Sequence, residues 1–132
     1  MPGAILRVGG SKASLRRFLA QTSLKPHRVY LRGEPTSHGA RHVSKNSYFL
    51  VVASKAGGDD FPKQVRDVAR FVKVNLKDLQ AMPSHRLHAV VDFGVYDTRT
   101  RKHPLLSWRL PVPLHSLLSK AGLEAEISIY DA

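Results

Sequence analysis

The chain has no cysteine. That excludes a disulfide framework and any thiolate-ligated metal centre, and it fits a reducing compartment, so the expected location is the cytoplasm. Long apolar runs are missing too. No window approaches the roughly 20 residues that a helix needs to cross a bilayer, so no membrane insertion is expected. The first ten residues hold one Arg and a short apolar patch, Ala4, Ile5, Leu6 and Val8, too short for a secretory leader. Acids are scarce in the first half: up to residue 58, Glu34 stands alone against ten Lys and Arg. The remainder carries nine acids against eleven bases. Internal repeats and low-complexity tracts are also absent.

What is present is enough apolar material for a core, 42% of 132 residues. A chain of this size folds without staples, and two halves of it would each have a marginal core, so one domain spanning 1–132 is expected. The net charge is +11, concentrated in the first half. Such a balance keeps a protein soluble, and it also sets up a positive field that attracts nucleic acid, anionic lipid or an acidic protein.

Hydrophobic spacing orders the chain as β-α-β-β-α-β-β-α-β. Ala4 to Val8 reads as a strand closed by Gly9-Gly10. Ser11 or Ser14 can cap a helix whose apolar positions are Leu15, Phe18 and Leu19. Arg28 to Arg32 alternates, with Val29 and Leu31 on one face and Arg28, Tyr30 and Arg32 on a wet face. Residues 33–46, rich in Gly, Pro, Ser and His, read as an exposed loop. Tyr48 to Ala53 is apolar on both faces and suits a central strand.

Asp59 or Asp60 can cap the long helix that follows, with Pro62 in its first turn. Its buried stripe is Phe61, Val65, Val68, Val72 and Leu76, with Leu79 and Met82 continuing after a break near Asn75. Leu87 to Tyr96 is a second convincing strand. Leu106, Trp108 and Leu110 alternate and suggest a short strand. Leu114 to Lys120 reads as a helix ended by Gly122, and Glu124 to Tyr130 as a last strand. The expected fold is α+β: a mainly antiparallel sheet with helices packed mostly on one face, its first part ferredoxin-like.

The stretches FLAQTSLKPHRVYLRGEP, YFLVVAS, QVRDVARFVKVNLKDL, VVDFG and LPVPLHSLLSKAGLEAEISIY, in this order, resemble a family of small bacterial α+β proteins catalogued only as a domain of unknown function. The resemblance covers nearly the whole chain. It implies a compact α+β domain and brings no catalytic residues with it.

The cations group in four places. Lys63, Arg66, Arg70, Lys73 and Lys77 recur at helical spacing opposite the Val stripe, forming either a solvated face or a binding stripe for phosphates or an acidic surface. On the wet face of one strand, Tyr30 lies between Arg28 and Arg32, an arrangement that can stack a base between two cations; a lone strand Tyr is also ordinary cross-strand packing. One basic loop carries His38, Arg41, His42 and Lys45, and another carries Arg99, Arg101, Lys102 and His103.

No catalytic set accompanies them. There is no G-x-S-x-G and no phosphate-binding glycine loop. His88 and Asp92, four apart on one strand, are about 13 Å apart, too far for one ion, so neither a metal nor a cofactor is expected. Three readings remain. The first is a non-catalytic binding or regulatory domain for an acidic protein. The second is a nucleic-acid-binding domain using the basic helix face and the sheet. The third is an enzyme with a dispersed site on an open sheet face. The sequence leaves the oligomeric state open.

Overall fold

A computed structural model describes residues 3–36 and 39–132, with the side chains of 36–43 outside that description. Strand β1 (Ala4–Gly9) alternates as its sequence does. Ala4, Leu6 and Val8 are buried, and Ile5, Arg7 and Gly9 are half-buried. Helix α1 (Lys12–Leu19) is capped by the Ser11 hydroxyl, which accepts from the Ser14 N–H at 3.1 Å, and it buries Leu15 and Phe18. Strand β5 (Tyr48–Ser54) pairs antiparallel with β1 and buries Phe49, against which the Phe18 ring stacks.

Between them lie β2 (Arg28–Tyr30) and a two-stranded antiparallel sheet of β3 (Pro35–Thr36) and β4 (Gly39–Val43). That small sheet corrects the expectation of a plain loop over 33–46. Its base is zipped by two bonds, Gly33 N–H to the Ser44 carbonyl and Ser44 N–H to the Glu34 carbonyl. Gly and Pro mark chain reversals, and here the reversals are the ends of a hairpin. Strand β2 is also shorter than expected. It stops at Tyr30, Arg32 sits in the turn beyond it, and Val29 is 44% exposed because β2 is the sheet's edge.

Helix α2 (Phe61–Val74) starts where Asp60 accepts from the Lys63 N–H at 3.2 Å. It ends at Asn75, whose side-chain amide and backbone N–H both donate to the Phe71 carbonyl. The chain then resumes as α3 (Leu76–Ala81) and a 3-10 turn over Met82–His85. Strand β6 (His88–Asp97) is the longest. Helix α4 (Val112–Ala121) ends at Gly122, whose φ of +72° favours a residue without a Cβ, and β7 (Glu124–Asp131) closes the fold.

The five-stranded sheet has the order β2-β5-β1-β6-β7. All pairs are antiparallel except β6–β7, whose parallel pairing needs the crossover that α4 supplies. The fold is thus α+β with a mostly antiparallel sheet, as expected. All four helices belong to one side: α2 packs on β5 and β6, and α4 packs on α2, α3 and β7. The core fills the space between that side and the helices. Leu6, Phe49, Val91, Phe93 and Val95 meet Leu15, Val68, Val72, Leu79 and Leu118. Each such side chain contributes about 1.5–3 kcal/mol on burial.

The expected strand over 106–110 does not form. Its alternation is real: Leu106, Trp108 and Leu110 are half-buried, while Ser107 and Arg109 are exposed. Bracketed by Pro104 and Pro111, however, the segment joins no strand. Trp108 and Leu110 pack against the helical core instead. An alternating pattern signals one apolar face, whatever surface covers it.

Candidate functional site

Two surfaces carry exposed chemistry, and they lie on opposite sides of the molecule. The first is the outer side of α2. Phe61, Gln64, Val68 and Val72 are buried against the sheet. Lys63, Arg66, Arg70 and Lys73 are exposed on the other side, and Lys77 follows on α3, past the break at Asn75. Positions 66, 70 and 73 are four and three apart, which aligns them in one stripe. Lys63 is partly neutralised by Asp67 at 3.7 Å, and Asp67 in turn accepts from the Ser54 hydroxyl at 2.8 Å. Among the described residues Arg66, Arg70 and Lys73 form no ion pair.

Beside this stripe runs a groove of about 460 Å³ between the first turns of α2 and residues 107–111. Phe61, Pro62 and Val65 form one wall, and Trp108 and Pro111 the other. Arg66 and Arg109 stand on opposite walls. No carboxylate lines it.

The second surface is the open face of the sheet. Its side chains are those out of phase with the buried ones. The ladder register aligns Tyr30, Tyr48, Gly9 and His88 in one row, and Arg28, Leu50, Arg7, Val90 and Glu124 in the next. The Tyr30 and Tyr48 rings stack with centroids 4.8 Å apart. Arg7 reaches Glu126 at 2.9 Å and Asp92 at 4.0 Å. Asp92 also accepts from the Ser128 hydroxyl at 2.7 Å, and His88 lies 3.6 Å from Glu124. A recess of about 510 Å³ opens over Gly9 and Gly10, between Tyr48 and His88. The face is a mixture of stacked rings and internally compensated charge.

The other cations expected from the sequence disperse. Arg28 and Tyr30 do share the open face, but Arg32 leaves it with the turn, where its N–H is taken by the Ser47 hydroxyl. Arg99 is folded back onto Asp97 through bonds of 2.9 and 2.7 Å. Those bonds hold the Asp97 carboxyl down at about 2. Arg101 and Lys102 remain exposed in the same loop. Arg41 is on β4 with its side chain outside the described residues, as is that of His42, and His38 lies outside them entirely. His85 meets the Phe18 ring edge-on. Among the described residues no three His, Asp or Glu side chains are grouped to hold a metal ion, and no helix is long and apolar enough to cross a membrane.

Several residues were not legible as site residues. Arg7 and Gly9 sit inside an apolar strand, and Tyr48 opens one; only the register aligns them with Tyr30 and His88. Arg109 and Trp108 read as strand residues, and only the docking of their segment on the helical core puts them beside Arg66.

A mostly antiparallel sheet covered by helices on one side and open on the other, with a basic outer helix, defines an α+β protein with two solvent-facing surfaces. The chain belongs to the family described as a domain of unknown function (DUF4279), whose family model matches residues 2–132. No curated protein and no solved structure matches it.

Proposed function

We propose that this is a non-catalytic binding domain that docks an acidic protein, in the cytoplasm, through the outer side of α2. One observation carries the reading. Arg66, Arg70 and Lys73 form a continuous stripe with no carboxylate partner among the described residues, whereas six of the nine acids of the second half are engaged with other groups. Asp67, Asp78, Asp92, Asp97, Glu124 and Glu126 all hold side chains or backbone of the chain itself. An unpaired cationic stripe on a rigid helix steers an oppositely charged surface and fixes its register.

A nucleic-acid ligand would use the same charges. The division of labour favours a protein instead. The stacked pair Tyr30 and Tyr48 is on the side of the sheet away from the α2 stripe, and Arg7 on that same face is already paired with Glu126, so the stacked rings and the α2 cations do not share one strand of ligand. The test is binding of the full chain to poly-glutamate and to a single-stranded oligonucleotide across salt concentration. The expected result is retention of the polypeptide at low salt, with loss in the R66Q/R70Q/K73Q variant. Equal retention of that variant and the parent protein overturns the reading. A steeper salt slope and tighter binding for the oligonucleotide transfers it to nucleic acid.

A further inference from the structure

The groove beside Arg66 is where the charge of α2 meets an uncovered apolar surface. Its walls are Phe61, Val65 and Trp108, and the prolines at 62 and 111 contribute no N–H donors to it. Recognition in such a groove comes from apolar filling rather than from backbone hydrogen bonds. At about 460 Å³ it has the size of an ordinary ligand pocket, ample for one bulky side chain and its adjoining backbone. The chain on either side of the wall segment is exposed and apolar: Leu105 is 91% exposed and Val112 76% exposed.

Charge selects the occupant. Arg66 and Arg109 rise from opposite walls, and neither forms an ion pair among the described residues. An uncharged apolar ligand would leave both guanidinium groups unmatched, and a plain polyanion would leave the apolar walls wet. We infer that the groove receives one bulky apolar side chain from an extended acidic segment of the partner, whose carboxylates on either side pair with Arg66 and Arg109. This rests on the binding role proposed for α2 and names the feature of the partner that gives it specificity. Trp and Arg are the side chains that most often anchor such contacts.

Trp108 is the only tryptophan of the chain, so its emission reports the groove directly. The probe is a synthetic peptide with one Phe between pairs of Glu, compared with versions in which Phe is replaced by Ser or every Glu by Gln. The full chain should give a saturable blue shift with the first peptide. Binding should weaken by about fivefold or more with each of the other two, and by a similar factor in Arg66→Gln and in Arg109→Gln, with unfolding curves unchanged.

Each contrary outcome is informative. Tight binding of both Glu-containing peptides with silent Trp108 emission, abolished by R66Q/R70Q/K73Q, overturns the groove and leaves the α2 reading intact. A shift of equal strength with the Glu-free peptide keeps the groove as an apolar site and overturns the acidic partner. An emission shift that follows protein concentration alone assigns the groove to a second copy of the chain and also overturns the inference. No saturable change with any peptide at low salt overturns it outright.

Discussion

The side-chain amide of Gln64 donates to the carbonyl oxygen of Gly94 at 2.8 Å, joining the first turn of α2 to the middle of β6 in a fully buried position. The same nitrogen reaches the carbonyls of Ala56 and Gly57 at 3.3 and 3.0 Å. One amide thus ties the loop before α2 to the sheet. Gln64→Leu keeps the volume but strands these carbonyls without their donor. It should lower stability by about 1–3 kcal/mol, read as a shift of the urea midpoint at unchanged slope.

Asp78 ties α3 to the chain leaving α1. It accepts from the Ser23 hydroxyl, the Ser23 N–H and the Thr22 hydroxyl at 2.8 to 3.0 Å. The Ser23 side-chain bond is the leading cause of a carboxyl held below its ordinary value of 3.8. Because the folded value is depressed, this stabilisation is complete above pH 3.8 and is lost as pH falls through the folded value. Asp78→Asn should cost about 1 kcal/mol at neutral pH and flatten the acid limb of the stability profile below pH about 4. An unaltered acid limb would refute the assignment.

Asp97 gives a direct titration. Its carboxyl should titrate near 2 by NMR, because both Arg99 side-chain bonds favour the charged form. In Arg99→Gln the midpoint should rise toward the ordinary value of 3.8. A midpoint that does not move would mean the pair is open in solution.

Two glycines of β1 and its approach should respond differently to a methyl group. A Cβ on Gly3 would lie 2.6 Å from the carbonyl oxygen of Ser54, a backbone atom with little room to retreat. Gly3→Ala should therefore cost about 1–3 kcal/mol. A Cβ on Gly9 would find its nearest neighbour, the Ser47 carbonyl oxygen, at 3.8 Å. Gly9→Ala should leave stability unchanged or slightly raised, since glycine is a weak strand former. Thermal unfolding of the two variants separates the cases.

The cationic stripe should be dispensable for folding. Arg66, Arg70 and Lys73 are exposed and form no ion pair among the described residues, so R66Q/R70Q/K73Q should change stability by no more than about 0.5 kcal/mol per site. A large loss would mean that the stripe is structural and would remove the basis for its binding role.

The helical spacing of Phe61, Val65, Val68 and Val72 was readable because a helix facing a core imposes its period on the sequence. The strands β1, β5 and β6 were readable for the corresponding reason. The hairpin of β3 and β4 was not, since Gly and Pro mark both loops and the ends of short strands. The segment 106–110 misled because its alternation records burial and not pairing. Gln64 gave no signal either. A polar residue at a buried helical position looks like an interruption of the stripe until its three carbonyl partners are assembled around it.

By itself the sequence determined the α+β class, the long basic helix, the uneven charge and the absence of thiol chemistry, because these depend on composition and on local period. Tertiary structure alone decided which charges stay available. Arg7 found Glu126 at 2.9 Å on another strand and Arg99 found Asp97 at 2.7 Å at the end of β6, while Arg66, Arg70 and Lys73 found none among the described residues. It also brought Trp108 and Arg109 beside Phe61 and Arg66, residues far apart in the chain. Pairing and grooves are set by distances between segments, and those distances exist only once the core has closed.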